Sequence, residues 1–321
     1  MAVSRALRGS HVSGPLVASI EDIAALNAVF SDAFTERYRR DGLTGVRVPH
    51  LHPSIWRYAI EDAGTGALLW RGEDGDIVAF NMVHCSGTEG WMGPLAVRPD
   101  RQGEGVGRAI VEAGIERLAG LGAQVIGLET MPRTIENIGF YSGLRFRPGH
   151  LTVSMGRELG GPGTTPATRL SDADPGRRVR ECWMLTDAVA PGRDFSREIA
   201  LTLEHRLGDV TLLAEQERVI GFALWHTAPL AEGRSADELR VLKLVARDLE
   251  VFRRLIVALE CHAWDSGARR VALRCQTAHQ SAYGALVDAG YRVHWTDLRM
   301  TLEGKGEGIP GEAVVFSNWE I

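Results

Sequence analysis

Residues 92–108 carry the residue types that most clearly predict chemistry. An apolar run at 93–97 is followed by a charged turn at 98–101 and by a glycine cluster at 102–107. The next residues have apolar side chains at helical spacing, so the order predicts a strand, a glycine loop and a helix. Glycines let the backbone approach a ligand closely, and the N–H groups that open a helix have no partner within it. The loop is therefore a candidate phosphate-binding site.

A tyrosine motif lies about one strand and one helix beyond this loop. Phe140 and Tyr141 stand there, and Phe146 follows after four further residues. The loop pattern Gln-x-x-Gly-x-Gly, followed at this distance by the tyrosine, resembles the GCN5-related N-acetyltransferase (GNAT) family. The resemblance is most specific over residues 95–146 and extends loosely over 12–155. It implies acetyl transfer from acetyl-CoA to an amine, by direct attack in a ternary complex.

A dinucleotide-binding loop is the main alternative for the glycines. Gly103 and Gly105 fit the pattern Gly-x-Gly-x-x-Gly, and Glu129 lies at a suitable distance for the acid that follows it. However, Arg108 replaces the third glycine, and the sequence before Gly93 does not begin a βαβ series. The tyrosine motif has no role in that fold, so the GNAT interpretation is preferred.

The resemblance assigns roles to the strand, the loop and the second helix. Tyr141 matches the family tyrosine that faces the CoA sulfur and acts as a general acid. The other residues predicted to bind the cofactor are Leu95, Ala96 and Val97 for the pantetheine arm and the carbonyl, Gln102, Gly103, Glu104, Gly105, Val106, Gly107 and Arg108 for the pyrophosphate, and Asn137. Two departures from the pattern are Arg145, in place of a glycine, and Thr134, where many members have asparagine.

The general base has several candidates. Many family members place a carboxylate on the strand before the loop, at the position of Trp91 here. Glu89 lies two residues earlier and on the same face of a regular strand. Glu129, at the end of the next predicted strand, is a second candidate, and His84 is a third. A water chain without a dedicated base is a further possibility.

The second half of the chain repeats the first. Residues 69–80 align with residues 211–222, and the same offset pairs His84 with His226. Residues 122–128 match residues 267–273. Residues 247–252 stand at the loop position without a glycine, and Leu286 stands at the tyrosine position. The prediction is an α/β fold of two tandem GNAT-like domains, each a mostly antiparallel central sheet flanked by helices, with a degenerate second copy.

The domain limits follow from this repeat and from a Gly/Pro-rich segment between its copies. We expect a catalytic domain at 1–158, a linker at 159–168 and the degenerate domain at 169–321. The region 41–57 is predicted to be irregular and to border the acceptor site. Each half is expected to end one strand short of a usual GNAT sheet. The tail around 314–319 should supply one of the two missing strands.

Composition limits the possible partners. The 321 residues are 45% hydrophobic and 24% charged, which is typical of a globular protein, and the net charge of −5 does not favour nucleic acid. The four cysteines lack metal-ligand spacing, and we expect no metal. With no membrane span or signal peptide expected, the sequence predicts a cytoplasmic, bacterial enzyme, monomeric or homodimeric, with a small-molecule amine acceptor. The alternative is a non-catalytic acyl-CoA-binding regulator or scaffold.

Overall fold

The computed structural model describes residues 12–163, 168–308 and 311–319, so part of the predicted linker lies outside it. The first half of the chain, 12–163, holds α1 (Ile23–Arg40), α2 (Pro53–Ala63), α3 (Val106–Gly120), α4 (Ile135–Gly143), β1 (Ser13–Val17), β2 (Ala67–Arg71), β3 (Ile77–Ser86), β4 (Glu89–Val97), β5 (Val125–Thr130) and β6 (Phe146–Glu158). The second half, 168–319, holds α5 (Pro175–Val189), α6 (Ser196–Glu204), α7 (Leu249–Asp265), α8 (Gln280–Asp288), β7 (Thr168–Arg169), β8 (Gly208–Glu215), β9 (Arg218–His226), β10 (Glu238–Ala246), β11 (Arg270–Gln276), β12 (Arg292–Leu302) and β13 (Val314–Ser317).

These strands form one continuous sheet. Its order is β1-β2-β3-β4-β5-β12-β6-β11-β10-β9-β8-β7, and β13 pairs with β10 beside this path. Only the pairs β4–β5 and β10–β11 are parallel among the described strands. The mostly antiparallel sheet with helices on its faces confirms the predicted fold class.

The two halves exchange their last long strands. β12 lies between β5 and β6 of the first half, whereas β6 lies between β12 and β11 of the second half. Met300 on β12 is fully buried in the core of the first half with Phe146 and Leu128. Met155 on β6 is likewise buried in the core of the second half, near Leu273. The exchange therefore supplies each half with a strand from the other.

The tail strand joins the second half. β13 runs antiparallel to β10, where Lys243 pairs with Ser317 and Ala246 pairs with Val314. The sequence predicted the strand and left open which sheet it would join. Phe316 is fully buried against Phe252, at a ring-centroid distance of 5.7 Å.

Helices cover both faces of the first half's strands. On one face α3 packs over β3 and β4, and Ile110 and Val111 are fully buried there. On the other face α1 and α2 bury Leu26 and Trp56 against Phe80. Among the described helices, none is long and apolar enough to cross a membrane.

The prediction of an irregular segment over 41–57 is wrong at its end, because α2 begins within it. Pro53 occupies the first turn of this helix, where its fixed φ favours the helix and its missing N–H costs nothing. His52 caps the helix by accepting a hydrogen bond from the Ser54 amide at 3.3 Å. His52 and Pro53 fall within the segment predicted to be irregular, but they mark a helix start.

Candidate active site

A bulge in β4 opens the sheet at the centre of the first half. Asn81 on β3 pairs with Leu95, and Val83 pairs with Met92, so β4 has one residue more than β3 in this interval. The parallel pairing of β4 with β5 ends at Met92. Beyond this point the two strands separate, and the exposed edge of β4 faces a cleft.

His84 holds the bulge in place. Its Nε2 lies 3.1 Å from the carbonyl oxygen of Gly93, and its Nδ1 lies 2.6 Å from Asp62 Oδ2. The imidazole is 2% exposed and Asp62 is fully buried. Both ring nitrogens are therefore occupied, and His84 is a support for the β4 backbone rather than a free base.

The cleft between β4 and β5 has a volume of about 540 Å³. The predicted site residues that line it are Leu95, Ala96, Val97, Gln102, Gly103, Gly107, Glu129, Asn137 and Tyr141. β4, the glycine loop, α4 and the candidate base Glu129 thus line the same cleft. Glu104, Gly105, Val106 and Arg108 belong to the same loop and helix start but do not line the cleft wall.

The glycine loop leaves the start of α3 open. Gly103 and Gly105 have φ values of +86° and +87°, in the left-handed region that side chains with a Cβ disfavour. Gly105 is the residue before the helix, and no side chain caps the first turn. The N–H groups of that turn are therefore available to an anionic ligand.

Gln102 connects the glycine loop to β4 and to α1. Gln102 Nε2 donates to the carbonyl oxygen of Val97 at 3.0 Å, and Arg40 donates to Gln102 Oε1 at 3.0 Å. Arg40 and Arg37, both on α1, also line the cleft. Arg37 pairs with Asp41 and Glu136, and Arg40 pairs with Glu36, so their charges are partly balanced. Their guanidinium groups still offer donors to a phosphate ligand.

Tyr141 forms part of the inner wall of the cleft. Its ring packs on Phe140 and Phe146, with centroid distances of 5.1 and 6.2 Å. The side chain is buried, and this burial raises the pKa of Tyr141 well above its usual value of about 10. The phenol is therefore protonated at neutral pH and can act as a proton donor.

Glu129 also lines the cleft, but its carboxylate is already engaged. Arg299 donates to it at 2.7 Å, and Arg274 and Thr152 donate to it as well. Burial alone would raise the pKa of Glu129, but the two guanidinium groups outweigh burial and hold that pKa below its usual range. Glu129 is therefore charged at neutral pH and is a weak proton acceptor.

Glu89 lies away from this cleft. Its carboxylate is 1% exposed and forms an ion pair with Arg193 of the second half at 2.9 Å. Burial would raise the pKa of Glu89, but Arg193 and Lys243 hold it below the usual range. Glu89 lines a separate cavity of about 500 Å³, so the structure does not bring it together with Tyr141.

Asp297 is a cleft residue that the sequence did not single out. It lies on β12 and thus comes from the second half, yet it lines the same cleft as Tyr141 and Glu129. Its nearness to them depends on the strand exchange, which leaves no local signal in the sequence. Ala33, Phe34 and Arg37 of α1 also line the cleft and were not singled out from the sequence as site residues.

In the second half, other residues occupy the positions that correspond to the glycine loop, the cleft and Tyr141 of the first half. Only Arg247 and Asp248 separate β10 from α7, whereas residues 98–105 separate β4 from α3. Asp248 caps α7 by accepting a hydrogen bond from the Val251 amide at 2.8 Å. β11 pairs with β10 as far as Val241, and β13 pairs with the rest of β10, where the first half has its cleft. Leu286, at the tyrosine position, is fully buried.

Comparison with known proteins agrees with this geometry. Residues 23–146 match the family described as the acetyltransferase (GNAT) family. No curated protein matches the sequence. The fold is similar to that of a candidate acetyltransferase from Pyrococcus horikoshii, with a TM-score of 0.68 and 17% identity over 99% of this chain and 97% of that chain.

Two further solved structures have a similar fold. A GCN5-related N-acetyltransferase from Sphaerobacter thermophilus has a TM-score of 0.59 and 15% identity, over 97% of this chain and 98% of that one. A tandem GNAT protein from the clavulanic acid biosynthesis pathway has a TM-score of 0.59 and 12% identity, over 92% of this chain and 99% of that one. At these identities the likeness shows the fold of the whole chain.

Proposed function

Since residues 23–146 match the GNAT acetyltransferase family and the whole chain has the fold of a tandem GNAT protein, we propose that it is an acyltransferase that transfers an acetyl group from acetyl-CoA to a primary amine of a small molecule. The family uses acyl-CoA; the acetyl group and the small acceptor are the specific parts of the proposal. The observation that supports it is the cleft itself. Tyr141, which is protonated at neutral pH, lines this cleft, and the uncapped start of α3 lies beside it.

The first half fits an acyl-CoA substrate at several points. The uncapped start of α3 and the left-handed glycines before it suit the pyrophosphate, and the guanidinium groups of Arg37 and Arg40 line the same cleft as possible donors. The unpaired edge of β4 beyond Met92 can bind the pantetheine amides as a neighbouring strand would. Bound in this way, acetyl-CoA supplies the thioester that an amine attacks.

Tyr141 is proposed to donate its proton to the CoA sulfur as the thiol leaves. Tyr141 lines the cleft and carries its proton at neutral pH, as a general acid must before the leaving group develops charge. Glu129 is proposed to act through its fixed charge, since its pKa is lowered by Arg274 and Arg299. Glu89 has no part in this mechanism.

The limits of the catalytic unit are a further part of the proposal. We propose that residues 1–158 form the catalytic domain, with 159–168 as linker and 169–321 as the degenerate domain. β12 is an addition from the second half that the first domain needs, because it lies between β5 and β6.

The test is release of thiol from acetyl-CoA in the presence of a panel of primary amines, with CoA binding measured by calorimetry. Gly105→Glu introduces a Cβ at a φ of +87° and a negative charge beside the phosphate site. Like charges about 4 Å apart at a protein surface repel by about 4 kcal/mol, so CoA affinity should fall on the order of 10²-fold or more.

Gly267→Glu is the matched control. Gly267 has the same φ of +87° and open space around its Cα, but it follows α7 in the second half. It should bear the same backbone strain without loss of CoA affinity. Unchanged affinity in Gly105→Glu would contradict the phosphate site. Tight CoA binding by the wild type with no turnover of any amine would instead favour an acyl-CoA-binding regulator or scaffold.

A further inference from the structure

We propose that the acceptor amine binds beside β12, where Asp297 of the second half receives its ammonium group and accepts its proton. The inference rests on the proposed acetyl transfer and names the acceptor site of that reaction. It assigns a catalytic residue to the half of the chain that has no glycine at the loop position and Leu286 at the tyrosine position.

Position is the first argument. Asp297 lines the cleft together with Glu129 and Tyr141. On one side of β12 it pairs with Thr152 of β6, and on the other side the neighbouring Leu298 pairs with Thr130 at the end of β5. The carboxylate therefore stands at the point where β4 and β5 have separated, which is where an acceptor must reach the acyl group.

Charge balance is the second argument. Asp297 belongs to a connected set of ion pairs with three carboxylates and two guanidinium groups: Asp297, Glu129, Glu307, Arg274 and Arg299. Beyond Glu307 the pairs continue through Arg193 to Glu89, which adds one charge of each sign. Among the described residues, Arg274 is the one cation that forms an ion pair with Asp297, and it also pairs with Glu129. The set has one more negative than positive charge, and a cationic amine in the cleft would balance it.

The surroundings of Asp297 also suit proton transfer. Oδ2 accepts from Arg274 at 2.9 Å, and Oδ1 accepts from the Trp295 indole at 3.2 Å. Burial and the nearby charge of Glu129 raise the pKa of Asp297 above its ordinary value, although Arg274 opposes them. Besides Arg274 and Glu129, the phenol of Tyr38 on α1 also lies near this carboxylate. Asp297 is thus a better proton acceptor than Glu129.

A groove beside the cleft indicates what carries the amine. It has a volume of about 400 Å³ and is lined by Met131, Pro132, Arg133, Val293, His294, Trp295 and Thr296. Met131 lines both the groove and the cleft, and Trp295 bonds Asp297 while its ring lies 6.0 Å from that of Tyr38. Most of these side chains are apolar or aromatic. The acceptor class that fits is a primary amine on an apolar or aromatic group.

The proton balance of the transfer is complete with these two residues. The acceptor ammonium gives one proton to Asp297 and becomes the neutral nucleophile. Attack on the thioester forms the C–N bond, and the C–S bond then breaks. The leaving thiolate takes the phenol proton of Tyr141, and the second ammonium proton restores the phenol. Asp297 finally releases its proton to solvent, so that one ammonium and one thioester yield one amide, one thiol and one proton.

The experiment compares the full-length wild type, Asp297→Asn and the exposed control Asp288→Asn. Thiol release from acetyl-CoA is measured with phenethylamine, tyramine, spermidine and glucosamine, and CoA affinity is measured by calorimetry. We expect the two aromatic amines to have the highest kcat/KM. Asp297→Asn should lower kcat/KM by on the order of 10²- to 10⁴-fold with CoA affinity unchanged, and Asp288→Asn should match the wild type.

The outcomes separate the two proposals. If the wild type binds no CoA or acetylates none of the amines, the proposed function fails and the acceptor site fails with it. If the wild type is active and Asp297→Asn keeps its kcat/KM on the same amine, only the role of Asp297 is overturned. A preference for spermidine or glucosamine would overturn the apolar acceptor class.

A second variant decides the matter if Asp297→Asn does not fold. Asp297→Glu keeps a carboxylate and its negative charge towards Arg274. Activity requires the deprotonated carboxylate, so kcat/KM must rise with pH through the pKa of that group. The midpoint of this acid limb should therefore differ between the wild type and Asp297→Glu. An acid limb at the same pH in both proteins would contradict the proposal.

Discussion

At the scale of single residues, the proposed chemistry depends on a phenol that keeps its proton. Burial raises the pKa of Tyr141, so this side chain remains protonated at neutral pH and well above it. Tyr141→Phe should leave CoA affinity nearly unchanged and lower kcat by roughly 10²-fold, the lower end of a typical acid–base contribution. Steady-state kinetics and calorimetry on the same preparation test both parts.

The control for this prediction comes from the second half. Tyr283 lies on α8, the counterpart of α4, and it is partly buried against the core there. Tyr283→Phe should leave kcat and CoA affinity as in the wild type. Wild-type turnover in Tyr141→Phe would remove Tyr141 from the mechanism, whatever the control shows.

At the scale of elements, β13 is a strand that fills a gap. Phe316 packs edge-on against Phe252 and His279, with ring centroids 5.7 and 5.8 Å apart, and is fully buried. Phe316→Ala should lower the free energy of unfolding by about 3–5 kcal/mol, because it removes a large buried ring and leaves a cavity. Chemical denaturation of the full chain measures this change.

Val287→Ala is the matched control, since Val287 is 47% exposed on α8. Its effect should stay within about 0.5 kcal/mol. Below the unfolding transition Phe316→Ala should keep its affinity for CoA, because β13 lies in the second half. An unchanged free energy of unfolding would mean that the tail strand contributes no stability.

The sequence predicted the elements that have local signals. The glycine cluster at 102–107 marked the turn into α3, the apolar run at 93–97 marked the end of β4, and the strand predicted to end at Glu129 is β5. α2 was missed because Pro53 was interpreted as a loop residue, although proline also favours the first turn of a helix. Asp297 could not be found in this way, since its place in the cleft depends on pairing between strands more than 160 residues apart.

At the scale of the whole molecule, the first half depends on the second for a strand in the middle of its sheet. A fragment of residues 1–163 lacks β12 and β11, so β5 would have an unpaired edge and β6 would lose both of its strand partners. The buried Met300 would also be lost from the core. Unpaired edges promote association with other chains. We expect this fragment to aggregate or to be inactive, as measured by light scattering and thiol release.

The complementary fragment provides the control. Co-expression of 1–163 with 168–321 should give a soluble one-to-one complex with restored activity, because the two pieces together contain every described strand. If the first fragment alone is soluble, monomeric and as active as the whole chain, the second half has a separate role. The dependence on β12 would then be wrong.

The exchange of β6 and β12 also constrains how such a chain can change over generations. Two identical subunits that trade a terminal strand form a swapped dimer, and this chain has that arrangement within one polypeptide. Once the copies are joined, each can lose its own active site and still be required for the sheet of its neighbour. Loss of either copy would remove a strand that the sheet of the other copy needs, whereas changes confined to one active site would leave the exchanged strands in place. Such a duplication can therefore diverge in function but cannot easily be undone.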